Sequence, residues 1–104
     1  MIDNRQFVVG KYIPYDFETI TIADTAIGFT ASKLNSTPKP KRAFLTFESA
    51  PCRYRMDGTD PTASVGHNVV PTQTLLLEGY SQLNNFKAIR TGATSANISV
   101  TYLR

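Results

Sequence analysis

The sequence predicts an all-β protein, a compact antiparallel β-sandwich of about seven or eight strands, built as one domain over residues 1–104. Three observations carry that expectation. Thirteen threonines, seven isoleucines, six valines and eleven Phe or Tyr residues supply side chains that suit a pleated, half-buried surface. Apolar and polar residues alternate in several short runs, the period of a strand with one buried face. Clusters of Pro, Gly, Asp and Ser break these runs at all-β intervals, with no helical period beyond about two turns and no βαβ rhythm. A chain of this length buries enough surface for one core and too little for two.

Taken in order, residues 1–16 read as an extended arm or edge strand. Phe7-Val8-Val9-Gly10 and Tyr12-Ile13-Pro14 are extended in character, and Pro14 neither donates to a ladder nor lets Ile13 turn helical. Residues 17–22 and 26–30 suggest two arms of a hairpin around Asp24-Thr25. Thr25-Ala26 lacks the Gly that two-residue turns favour, which points to a longer or bulged loop. Residues 43–48 put Ala43, Leu45 and Phe47 on one face, and residues 52–56 put Cys52, Tyr54 and Met56 opposite Arg53 and Arg55. Residues 73–78 hold Leu75, Leu76 and Leu77 in a row, readable as a half-buried strand or as one covered on both sides. Residues 86–90 add another strand. Residues 97–103 alternate Ile98, Val100 and Tyr102 with Ser99 and Thr101, the strongest strand signature in the chain.

Composition removes several function classes. One Cys excludes an internal disulfide and a multi-cysteine zinc cage. The first residues lack the charged start and apolar run of a signal peptide, and no 18 apolar residues occur together, so neither secretion nor a membrane partner is expected. A net charge of +3 with pI near 9.2 is mildly basic, which favours an acidic partner and falls short of a nucleic-acid signature. Acidic residues interspersed among the basic ones, without basic–aromatic interleaving, also speak against nucleic acid.

Few side chains point to chemistry. Asp57-Gly58 reads as a tight turn after a strand, with Asp60 accepting backbone bonds ahead of Pro61. A calcium site using Asp57 and Asp60 is the alternative, but the alternating run and closing Glu of an EF-hand loop are missing. His67 sits in a loop by composition, with no partner completing a triad toward Ser64 or Cys52. Cys52 falls on the apolar side of its strand, as a small core residue would. No catalytic, cofactor or metal residue is therefore assigned, and no enzyme activity is expected. The candidate partner contacts are Lys39, Lys41, Arg42, Arg53 and Arg55, with Tyr12 and Tyr15 from the aromatic-rich start. The plainer reading of the same cations is a solvated face that blunts exposed strands.

Two resemblances follow from these residues. The stretch Tyr54-Arg55-Met56-Asp57-Gly58-Thr59-Asp60-Pro61-Thr62-Ala63-Ser64 resembles a structural hairpin of the immunoglobulin-like modules in chitobiase-type glycosidases. That likeness implies an immunoglobulin-like sandwich and transfers no catalytic residue. More broadly, residues 43–104 resemble small structural proteins of tailed bacteriophages, through residues 53–67, Leu77-Glu78-Gly79 and residues 85–92. This implies a non-enzymatic virion protein made in the host cytoplasm, of the capsid decoration or cement type or a head-tail accessory subunit. Its partners would be the major capsid protein or other virion proteins, with further copies of itself as a homo-oligomer. The alternative is a carbohydrate- or receptor-binding module on the virion surface using exposed tyrosines such as Tyr12 or Tyr80, against which the absence of Trp counts.

Overall fold

The computed structural model describes residues 12–104 and places two antiparallel sheets face to face. The strands are β1 (Pro14–Ile22), β2 (Arg42–Glu48), β3 (Cys52–Arg55), β4 (His67–Val69), β5 (Thr74–Glu78), β6 (Lys87–Arg90) and β7 (Ala96–Leu103). Short helices α1 (Ala31–Leu34) and α2 (Tyr80–Asn85) fill two of the connections. One sheet runs β1-β7-β2-β5 and the other β4-β3-β6. The expected antiparallel β-sandwich of about seven or eight strands is the architecture found, with seven.

Alternation decides which side chains are buried. Ile20 and Ile22 of β1, Ala43, Leu45 and Phe47 of β2, and Ala96, Ile98, Val100 and Tyr102 of β7 all point inward from the four-stranded sheet. Cys52, Val69 and Ala88 meet them from the three-stranded one, joined by Phe86. Phe29 stacks on Phe86 at 4.7 Å between ring centres and meets Tyr102 edge-on at 5.6 Å, closing one side of the core. Of the three consecutive leucines, Leu77 is buried and Leu76 is exposed, so β5 is covered on one side only.

The structure departs from the sequence pattern in three places. Residues 26–30 do not return beside β1 as a hairpin; the segment crosses to the other sheet, where Ile27 exchanges two 2.9 Å backbone bonds with Ala88. The aromatic contacts of Phe29 hold it there, and the glycine-poor turn at Thr25-Ala26 gives a hairpin no help. His67 is not in a loop but opens β4, paired with Tyr54 of β3. Two helical turns appear where residues 31–34 and 80–85 gave no strand or helix signal. Of the arm expected over residues 1–16, residues 1–11 lie outside the described residues, while Ile13 and Arg104 bond reciprocally and Pro14 begins β1.

Candidate functional site

Strand register gathers cations and tyrosines at one end of the sandwich. Lys41 precedes β2 and bridges two neighbours: its amide donates to the Leu103 carbonyl at 2.8 Å, and its carbonyl accepts from the Gly79 amide at 2.6 Å. That fixes the loop of residues 35–41 beside the end of β7 and the start of α2. Arg42 follows, facing Glu78 of β5 with Nη2 2.7 Å from Oε2 and its guanidinium carbon 3.7 Å from the centre of the Tyr12 ring. Arg104, brought in by the Ile13 pairing, lies 4.0 Å from the Tyr15 ring centre and donates from Nη1 to the Pro38 carbonyl at 3.5 Å.

The loop completes the cluster. Lys39 Nζ stands 4.9 Å from the Tyr80 ring centre and 3.5 Å from Asn35 Oδ1, to which the Tyr80 hydroxyl also donates at 3.5 Å. Tyr15 and Ser36 share a hydroxyl bond at 3.2 Å. Lys33 of α1 pairs with Asp16 at 3.0 Å, and this hydrogen bond, aided by the Phe17 amide, holds the Asp16 carboxyl below its usual range. A cation set over an aromatic face is attracted by the ring's negative centre, so each tyrosine steadies the cation it carries. A shallow open cavity of about 480 Å³, lined by Pro14, Tyr15, Asp16, Phe17 and Thr101, adjoins the cluster at the register shift in β1.

Five of the seven sequence candidates, Lys39, Lys41, Arg42, Tyr12 and Tyr15, thus lie together. Arg53 and Arg55 do not join them: both sit on β3 in the other sheet. Arg53 donates to the carbonyls of Ala63 and Gly66 at 3.2 and 2.9 Å, pinning the long β3–β4 connection, and Arg55 pairs with Asp57. Sequence reasoning missed Arg104 and Tyr80 as members of the cluster. Only the pairing of β7 with the start of the chain, and the closure of β5 on Lys41, bring them in, and neither leaves a local sequence signal.

The reactive groups singled out by sequence have structural surroundings. Burial pushes the Cys52 thiol up to about 11, so little thiolate forms near neutrality. His67 is exposed and lies 5.2 Å from the Tyr54 ring. Asp57 accepts bonds from Arg55 and from the Thr59 amide, the turn expected at Asp57-Gly58, and Gly58 has a φ of 88° that suits glycine. Asp60 pairs with Lys87 at 3.1 Å. Among the described residues, no three metal-ligating side chains converge and no helix is long and apolar enough to cross a membrane. No family model matches the chain, and neither does any curated protein or solved structure.

Proposed function

We propose that the chain is a non-enzymatic structural subunit of a bacteriophage virion, a capsid decoration or head-tail accessory protein that grips an acidic surface of a neighbouring virion protein. The observation that carries the reading is the basic–aromatic end, where Lys39, Arg42 and Arg104 lie over Tyr80, Tyr12 and Tyr15 and backbone bonds set Lys41 beside them, across four separate segments. Cations held over aromatic rings are partly ordered before any partner arrives, which lowers the entropy lost when they engage carboxylates. Lys39 and Lys41 are exposed and have no carboxylate partner among the described residues, so they are the groups best placed to meet an acidic surface. The resemblance of residues 43–104 to tailed-phage structural proteins supplies the setting.

The carbohydrate- or receptor-binding alternative has less support. Tyr12, Tyr15 and Tyr80 each already carry a cation over a ring face, and an occupied face is not offered to a sugar. The test is mass spectrometry of particles purified from cells producing the chain together with the other proteins of its virus. The chain should be found in particles at a fixed stoichiometry, and Lys39→Glu with Lys41→Glu should release it at least tenfold without changing its melting temperature. Particles devoid of the unmodified chain would end the proposal.

A further inference from the structure

The outer face of the four-stranded sheet has an ordered composition. Register places Phe17, Thr101, Phe44 and Leu76 side by side across β1, β7, β2 and β5. Phe17 is 57% exposed, Phe44 44% and Leu76 45%, so three large apolar side chains, with the half-buried Thr101 between the two phenylalanines, form a solvent-facing row across the sheet. The next row along the strands is Thr19, Ser99, Thr46 and Thr74, a hydroxyl on every strand. Charge on this face is sparse: Arg42 pairs with Glu78, and Glu48, which accepts from Ser99 at 3.4 Å, is left as a single negative charge toward the other end of β2. A face with so few charges has little to attract a strongly charged partner, in contrast to the adjoining basic end.

From this pattern we infer that the outer face of the β1-β7-β2-β5 sheet binds a second copy of the same chain. Both rows are built from groups that complement themselves: apolar carbon packs on apolar carbon, and hydroxyls both donate and accept. A twofold axis parallel to the strands, between β7 and β2, lays β1 over β5 of the second copy and β7 over its β2. Phe17 then meets Leu76, Thr101 meets Phe44, and the hydroxyl row meets the hydroxyl row, the isologous arrangement that closed dimers use. The alignment is the one packed sheets favour, with strand directions within about 30°.

Area sets the strength. Four strands about 4.8 Å apart, each contributing about seven residues at about 3.3 Å, give a flat face of roughly 450 Å². Two such faces bury roughly 900 Å² before side-chain relief is added, just under the ~1,000 Å² that stable specific interfaces clear and within the range of weak, transient ones. An interface of that size is a weak one, favoured by high protein concentration. The face adjoins the basic end and shares Arg42 with it, but the dimer contacts use neither Lys39 nor Lys41 and do not depend on the acidic-partner reading.

Sedimentation equilibrium of the full chain from 5 µM to 1 mM, on the order of the range where interfaces of this size associate, tests the inference. The unmodified protein should pass from monomer to dimer. Phe44→Glu should weaken association at least tenfold, and Leu76→Lys, at the sheet edge where folding is least disturbed, should do the same with an unchanged melting temperature. Lys39→Glu with Lys41→Glu, which disables the basic end, should leave the dimer intact. A monomer at every concentration overturns the inference, as does a dimer indifferent to both face variants. An unmodified monomer in which Phe44→Glu shifts the NMR signals of residues 1–11 also overturns it, since the chain's own start would then cover the face.

Discussion

Asp57 shows how one side chain turns local geometry into a pH dependence. Arg55 grips its carboxylate through Nε and Nη2, and the Thr59 amide adds a third bond. The Arg55 hydrogen bond is the largest influence on the carboxyl, the Thr59 amide comes next, and together they hold it down to about 2. A carboxyl depressed below its unfolded value of about 3.9 stabilises the fold above that pH, and the contribution fades as pH falls through the folded value. The pair is exposed, so its effect on overall stability is small and screened by salt. Carboxyl NMR titration should give a midpoint near 2 for Asp57, rising toward the ordinary aspartate range in Arg55→Gln. A midpoint near the ordinary value in the unmodified protein would mean that the turn is not clasped in solution.

The element most informative about folding is the segment that crosses between the sheets from β1 to α1. Ile27 bonds to Ala88, and this brings the backbone at Gly28 so close to its neighbour that an added Cβ would stand 2.7 Å from the Phe86 carbonyl oxygen. Gly28→Ala must therefore push two backbones apart and should cost about 1–3 kcal/mol in urea unfolding, the range for overpacking. Gly92→Ala meets nothing within 4 Å and should change stability by less than about 1 kcal/mol, on the stabilising side through a more restricted unfolded chain. Equal effects would show that the crossing is looser than its contacts require. The same segment marks the limit of sequence reading. β2, β3, β6 and β7 were legible because each buries one face and so alternates, whereas Ala26–Gly28–Thr30 alternates for a different reason: Phe29 packs beneath Phe86 and only Ile27 pairs. β4 has three residues and one buried side chain, Val69, too short for any period. α1 and α2 each bury a single leucine, Leu34 and Leu83, so no helical stripe exists to be read. In the candidate site, Lys39, Lys41 and Arg42 were visible because they are neighbours in sequence, while Arg104 and Tyr80 arrive only through long-range register.

For the molecule as a whole, charge is distributed unevenly, and that is a property no single residue reveals. The basic–aromatic end gathers Lys33, Lys39, Lys41, Arg42 and Arg104 against Asp16, Glu18 and Glu78, an excess of two positive charges. Elsewhere among the described residues the charges balance, Arg53, Arg55, Lys87 and Arg90 standing against Asp24, Glu48, Asp57 and Asp60, with Arg55–Asp57 and Lys87–Asp60 paired. Clustered charge creates a local field larger than the net charge suggests, and it steers an acidic surface toward one end of the sandwich. Retention on a sulfonate column samples that field, because the protein binds through its most positive face. Lys39→Gln with Lys41→Gln and Lys87→Gln with Arg90→Gln remove the same formal charge from different places. The first pair should lower the salt needed for elution by clearly more than the second, since it dismantles the end that faces the resin. Equal shifts would mean that the protein presents its charge evenly, and the oriented docking expected of the basic end would lose its physical basis.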